Sequence, residues 1–224
     1  MTVEAGPNIV SSGLILNLDA ASSKSYPGSG TTWSDLSGNG NNGTLTNSPT
    51  FNSSNQGSFV FSGTNHVVGT SISSQLTTDM TAEAWILISA TVGDWVRVVG
   101  TGGNGGNRTF GLWIAPNATT LLWQRYGTVD PALQPSTGLT LGQWSYIAAT
   151  TSGSSHIVYL NGISIGSATA SGPWGSSGEN ITIAFAGFHS YLNGRISNVK
   201  LYNRGLSQAE ISQNFNALRG RYGI

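Results

Sequence analysis

The apolar residues of this chain come in short runs, either alternating with polar residues or unbroken and rich in β-branched and aromatic side chains. Turn residues separate the runs. Residues 13–20 (GLILNLDA), 57–63 (GSFVFSG), 80–88 (MTAEAWILI) and 95–100 (WVRVVG) read as strands. So do 108–115 (RTFGLWIA), 120–127 (TLLWQRYG), 143–151 (QWSYIAATT), 156–167 (HIVYLNGISIGS), 180–188 (NITIAFAGF) and 194–203 (GRISNVKLYN). Their spacing is that of an all-β, two-sheet antiparallel β-sandwich. Asn161-Gly162 accepts positive φ at both positions, as a two-residue type I′ turn requires, and predicts a tight hairpin. Residues 80–88 carry large apolar groups on both parities, which places that strand mid-sheet with both faces covered.

The periodicity changes once, in LSQAEISQNFNALRG. Ser207 and Glu210 have the spacing of a capping box, in which each side chain satisfies a backbone donor of the first turn. Leu206 can staple against Ile211, and Ile211, Phe215 and Leu218 share one helical face. Gly220 is a natural stop. The expected organisation is an N-terminal arm over 1–12, free or laid along a neighbour, a sandwich over 13–204, and a short C-terminal helix and tail over 205–224. That helix packs on the sandwich edge or on a neighbouring subunit.

Composition narrows the function classes. Asp, Glu, Lys and Arg make up 8% of the 224 residues, against about 25% in an ordinary soluble protein. Hydroxyls and amides must cover the surface. The formal net charge is zero, which leaves no electrostatic footprint for nucleic acid. A neutral surface also does little to keep copies apart, which points to a homo-oligomer or a subunit of a larger assembly. There is no Cys, so neither disulfides nor thiolate metal sites are expected. No run approaches the ~20 apolar residues of a membrane span. The start, MTVEAGPNIVSSG, lacks the basic and long apolar regions of a signal peptide, so release from a cell would be by another route such as lysis.

Catalytic constellations are sparse. The nine acids are Glu4, Asp19, Asp35, Asp79, Glu83, Asp94, Asp130, Glu179 and Glu210, and no two lie two residues apart. A glycoside hydrolase or lyase needs two carboxyl groups flanking the scissile bond; Glu83 stands alone on its strand. His66, His156 and His189 form no HxxxH or HxH pair, which disfavours zinc. No Gly-x-Ser-x-Gly elbow is present. The Gly-rich stretch 100–111 joins two strands rather than opening a helix, so it is no phosphate cradle. In WSDLSGNGNNGTLTNSPTF (33–51), Asp35, Ser37, Asn39 and Gly40 mimic the start of a helix-loop-helix calcium loop. The twelfth position, Thr46, lacks the required acidic group. The plain alternative is a chain of Asn/Gly turns anchored by Trp33 and Phe51.

Several of these stretches together resemble a known family. GLILNLDAASSKSYPGSGTTWSDLSGNGNNGTLTNSPTF, GSFVFSG, MTAEAWI and LNGRISNVKLYNRGLSQAEI are similar to laminin-G-like, concanavalin A-like jelly-roll domains. The stretch SYPGSGTTWSDLSGNGNNGTL and the ending NFNALRGRYG are similar to stand-alone domains in virion proteins of tailed bacteriophages, notably those of cyanobacteria and marine bacteria. The resemblance implies two packed sheets, loops at one rim, often a structural calcium and often carbohydrate or surface binding. For calcium, Asp19 and Asp35 would supply charge and Asn39, Asn41 or Gly43 carbonyls. The acidic residue the family often places after Gly-x-Ile is missing here, where Ser197 and Asn198 stand.

Seven Trp are available for stacking on sugar rings. Trp33, Trp85 and Trp144 occupy core-like positions. Trp123 and Arg125 are two apart and share a strand face, with Asp130 in the following loop; if open, that face is a sugar platform. Trp174 lies in a loop, where it stacks on a ligand or clamps the rim. The expected function is a non-enzymatic structural virion protein, a capsid decoration, fibre or tail component held by other virion proteins, assembled in the host cytoplasm and released by lysis. The alternative is a carbohydrate-binding module for a cell-surface or algal glycan.

Overall fold

The computed structural model describes residues 7–73, 79–101, 109–126, 132–175, 178–187 and 189–224. Strands run in chain order as β1 (Leu14–Asp19), β2 (Thr32–Trp33), β3 (Gly43–Thr46), β4 (Thr50–Asn52), β5 (Ser58–Ser62), β6 (Val67–Ser73), β7 (Met80–Ile88) and β8 (Val96–Thr101). They continue as β9 (Phe110–Ile114), β10 (Leu121–Arg125), β11 (Ala132–Leu133), β12 (Trp144–Ser152), β13 (Ser155–Leu160), β14 (Ile163–Thr169), β15 (Asn180–Ile183) and β16 (Asn193–Tyr202). One α-helix, α1 (Gln208–Leu218), follows. Two sheets form. Sheet I has the order β14-β13-β12-β7-β16-β5-β4, with β1 also paired to β16; sheet II has the order β11-β10-β9-β8-β15-β6-β3-β2. Neighbours within each sheet are antiparallel. This is the expected sandwich.

Its interior is a continuous apolar cluster between the sheets, including Trp33, Phe59, Phe61, Val98, Phe110, Leu112, Trp123, Ile147 and Val199. β7 sits between β12 and β16 and is buried along both faces, as its sequence predicts. Asn161 and Gly162 have φ of 50° and 79°, and they close the β13–β14 hairpin. Gly57 is demanded by contact as well as by conformation: at φ 144° an added Cβ would lie 2.4 Å from the Ala20 carbonyl oxygen. The strand expected over 180–188 stops at Ile183, because Ala184 turns to φ 66°. β2, β3, β4, β6 and β11 were not expected; they are short or Gly/Ser-interrupted and give a weak alternating signal.

A second apolar cluster lies on the outer face of sheet I under α1: Trp85, Tyr146, Tyr202, Leu206, Ile211, Leu218 and Tyr222. Trp85 stacks on Tyr222 (centroids 4.0 Å apart) and on Phe215 (5.7 Å). The capping box at Ser207 and Glu210 is formed. The helix gives way to a 3-10 turn over Arg219–Arg221, and the left-handed residue after it is Gly223 (φ 74°), not Gly220. The segment expected as an arm lies, from Asn8 onward, on this same helix. Gln213 donates to the Asn8 carbonyl (2.7 Å), the Val10 N–H to Asn214 Oδ1 (2.8 Å) and the Tyr202 hydroxyl to the Val10 carbonyl (3.1 Å). Arm and helix therefore close one face of sheet I together.

The Asn/Gly-rich loop after Trp33 seals an edge. β1 is paired to β16 on one side, and its other side would expose unpaired backbone groups. Asp35 Oδ1 accepts the Asn17 N–H (2.8 Å), and the Leu36 N–H donates to the Asn17 carbonyl (2.8 Å). Ser37 Oγ and Asn41 Nδ2 donate to the Ile15 carbonyl (3.2 and 2.8 Å), and Asn39 Nδ2 donates to that of Leu14 (3.2 Å). Short amide and hydroxyl side chains thus stand in for a missing strand.

Candidate functional site

The chain's most charged interior constellation is sealed. Glu83 on β7 and Lys200 on β16 form an ion pair of 2.9 Å with side-chain exposures of 0% and 1%. Glu83 Oε2 also accepts from the Tyr146 hydroxyl (2.6 Å) and Asn214 Nδ2 (3.0 Å), and Lys200 donates to Asn198 as well. Burial, then the adjacent Glu83 carboxylate, push the Tyr146 phenol well above its ordinary pKa. No ligand reaches these groups. A charge taken out of water survives only with this degree of pairing, and because Asn214 belongs to α1, the network ties the helix to the sheet. A lone Glu in an apolar strand is the sequence signal for such a pair.

The structure turns the expected sugar platform inward. Trp123 and Arg125 do share one face of β10, but that face packs on sheet I: Trp123 is 1% exposed, and its Nε1 donates to Thr151 Oγ1 (3.2 Å). Arg125 is also fully buried, its guanidinium 5.0 Å from the Trp174 ring centroid. Burial pushes its pKa down to about 10, and Asp79 acts in the opposite direction. Trp174 meets the His156 ring edge-on at 5.2 Å, so it clamps the sandwich end. Asp130 lies outside the described residues.

The residues expected to hold calcium do not fit that ion. Ca²⁺ needs six to eight oxygen ligands turned toward it. Asp35 Oδ1 is taken by the N–H groups of Asn17 and Ser37, and its Oδ2 by the Ser37 hydroxyl and the Asn41 N–H. Asn39 and Asn41 aim amide N–H groups at carbonyls. Asp19 takes Arg221 Nη1 on both oxygens at 2.8 Å. Gly43 is paired on both sides within sheet II. This is a set of hydrogen-bond acceptors already supplied with donors. Among the described residues, no cluster of three or more His, Cys, Asp or Glu is placed to hold a metal.

A different place combines exposure with chemistry. At the end of sheet II where β8 begins, two segments meet on its outer face: Asp94–Trp95, leading into β8, and, between β15 and β16, residues 184–187 and 189–192. The Ser190 N–H donates to the Trp95 carbonyl (3.2 Å), and Val96 bridges to Ser190. Beneath them, Arg97 lies over the Trp113 ring (5.4 Å) and donates to the carbonyls of Phe185 (Nε, 3.0 Å) and Thr101 (Nη1, 2.9 Å) and to Thr182 Oγ1 (Nη2, 2.8 Å). Arg97 is 1% exposed, so it acts as a rivet that holds the backbone at Phe185. Trp113, Leu122 and Ala186 form a small apolar cluster against which Trp95 packs.

Partly exposed groups crown this support. Phe185 and Tyr191 stack at 4.9 Å with an interplanar angle of 15°, and Trp95 is also half-buried. Asp94 faces His189, with Nδ1 3.1 Å from Oδ1, and side-chain exposures are 41% for Asp94 and 23% for His189. Burial acts to raise the Asp94 pKa, but the Trp95 N–H (2.7 Å) and His189 outweigh it and hold the carboxyl below its ordinary value. Nearby loops add amides and hydroxyls: Asn47 Nδ2 donates to the Asn65 carbonyl (2.8 Å), and Ser62 and Thr64 share a hydroxyl contact (2.7 Å). Flat aromatic faces beside an ionised carboxylate and neutral polar groups can hold a polyol by stacking and hydrogen bonding. Nothing in the spacing links residues 94 and 189; topology alone brings them together.

The chain can now be set beside known proteins. No curated protein matches its sequence. The binding domain of Paraclostridial mosquitocidal protein 1 is similar in structure, with TM-score 0.68, 18% identity, and 92% of this chain and 52% of that one covered. Botulinum neurotoxin type C, described as dependent on two ganglioside molecules for getting into cells, aligns at TM-score 0.69 and 15% identity over 92% of this chain and 51% of that one. A Trypanosoma rangeli sialidase mutant with trans-sialidase activity aligns at 0.70 and 16%, covering 98% of this chain and 35% of that one. The chain therefore spans about half or less of these relatives, and at such identities the likeness concerns the fold alone. The model of a laminin-G-type family, described as the concanavalin A-like lectin/glucanases superfamily, matches residues 61–212. The chain belongs to the concanavalin A-like lectin/glucanases superfamily.

Proposed function

We propose that this protein is a non-enzymatic binding module that holds a surface glycan at the Asp94–Trp95–Phe185–His189–Tyr191 rim. The observation that carries the reading is the meeting, at one end of sheet II, of two segments that carry three partly exposed aromatic rings and a paired carboxylate, above the buried Arg97. Membership of a lectin-containing superfamily supports it, and a structural relative depends on gangliosides. A bond-breaking role would need two opposed carboxyl groups. Among the described residues Asp19, Glu83, Asp94 and Glu210 are each paired with a basic side chain, Asp35 is saturated by donors, and Asp79 accepts the Gly153 N–H and the Ser152 hydroxyl; Glu179 is the remaining described acid. A glycan array followed by calorimetric titration tests the reading. Wild type binds at least one polysaccharide or oligosaccharide, and Tyr191→Ala weakens it on the order of tenfold or more, as loss of a stacking face does. A flat array, or release of cleaved sugar, counts against it.

A place on a tailed-phage particle is the second reading. It is favoured by the resemblance of residues 25–45 to phage domains and by the 8% charge content, which suits a copy held among other virion proteins and further copies of itself. The two readings are compatible, since a virion lectin satisfies both. Mass spectrometry of purified particles tests it, and absence of the chain from them removes it.

A further inference from the structure

Resting on the glycan reading above, we infer that the rim selects uncharged sugars and discriminates against those carrying sialic acid, uronic acid or sulfate. Selectivity follows from the charges a ligand meets. Asp94 is the rim's exposed charged side chain among the described residues, and it stays ionised because the Trp95 N–H and His189 stabilise the carboxylate. Its partner His189 turns Nδ1 toward the carboxylate rather than toward an incoming group.

The cation beneath, Arg97, does not offset this for a ligand. It is 1% exposed, its three nitrogens each donate to Phe185, Thr101 or Thr182, and one face is covered by Trp113. An acidic sugar is held best by a reachable charged donor, above all a bidentate guanidinium, and Arg97 is spent on the fold. The other described cations stand elsewhere. Lys24 lies between β1 and β2; Arg195 and Lys200 are on β16 of sheet I; Arg204 is paired with Glu210 at the start of α1; Arg219 and Arg221 follow its end. Arg125 is buried under Trp174. An anionic residue on the aromatic rings would meet a like charge in a half-desolvated setting, where juxtaposed like charges are costly. Neutral hydroxyls instead find an acceptor in Asp94.

The test uses matched pairs: a neutral oligosaccharide and the same chain capped with sialic acid, titrated against the full-length protein at low and high salt. The expected result is binding of the neutral form, tighter than the capped form on the order of tenfold or more, with the ratio shrinking at high salt. Asp94→Asn brings the ratio toward one, whereas Tyr191→Ala weakens both forms and leaves the ratio unchanged. Capped sugar binding as well as or better than the neutral one overturns the inference while leaving the glycan reading intact. Failure of both forms, across neutral and acidic panels, overturns the glycan reading and the selectivity with it. Melting curves of both variants confirm that they are folded.

Discussion

Consider Glu83→Gln, a substitution that keeps the shape of a fully buried side chain and removes its charge. In the wild-type chain the carboxylate receives Lys200 at 2.9 Å, Tyr146 at 2.6 Å and Asn214 at 3.0 Å, with no exposed surface on either charged group. The variant strands the Lys200 ammonium beside Asn198 without a counter-charge. Removing one partner of a buried pair costs about 3–5 kcal/mol. In a domain of this size each kcal/mol moves the melting temperature by about 2–4 °C, so the expected fall is about 6–20 °C. Lys200→Met should cost a similar amount by leaving Glu83 uncompensated. The double variant removes both charges, and its loss should fall short of the summed single losses by about 2 kcal/mol or more. Urea unfolding followed by tryptophan fluorescence reads this cycle, since Trp85 is stacked between Phe215 and Tyr222 beside the network. Strict additivity, or a Glu83→Gln variant within about 0.5 kcal/mol of wild type, would refute the view that the two charges stand as a coupled buried pair.

Other consequences are checked more simply. Ser207→Ala removes the cap of α1 and should cost about 1 kcal/mol by chemical unfolding. His156 is 1% exposed, beside Thr151 and the Ala170 carbonyl and facing the Arg125 charge. Burial first, and then Arg125, hold its pKa below 6.5, with the Ala170 carbonyl opposing them. The folded chain then binds that proton less tightly than the unfolded one, so stability is full above pH ~6.5 and declines as pH falls below it; melting curves should show the decline, and His156→Gln should flatten it. Calcium or a chelator should shift the melting temperature by less than about 1 °C, whereas a calcium-dependent rise of several degrees would show that the Asp35 loop holds the ion after all.

What the residues disclose in advance follows from how local each signal is. β7, the Asn161-Gly162 hairpin and the Ser207–Glu210 cap are legible because periodicity, turn chemistry and capping act over a few residues. Trp33, Trp85 and Trp144 are likewise interior as expected. The short strands β2, β4 and β11 escape notice because two or three residues carry no period. The platform imagined at Trp123 and Arg125 illustrates a deeper gap: a shared parity says that two side chains lie on one face, but not whether that face looks inward. The same holds for the rim. Asp94 and His189 are 95 residues apart in sequence, and only the β8–β15 pairing and the return into β16 set them side by side. The Asn/Gly loop shows the converse. Its turns are legible, yet its task of capping β1 depends on a strand about 20 residues upstream.

Where a sugar touches the protein is the most direct test of the glycan reading. Nuclear magnetic resonance titration with the best neutral oligosaccharide from an array should perturb Trp95, Phe185, His189 and Tyr191 first, with the saccharide recovered whole. Perturbations confined to Trp174 or to the Asp19–Arg221 ion pair, or a saccharide recovered in pieces, would contradict it.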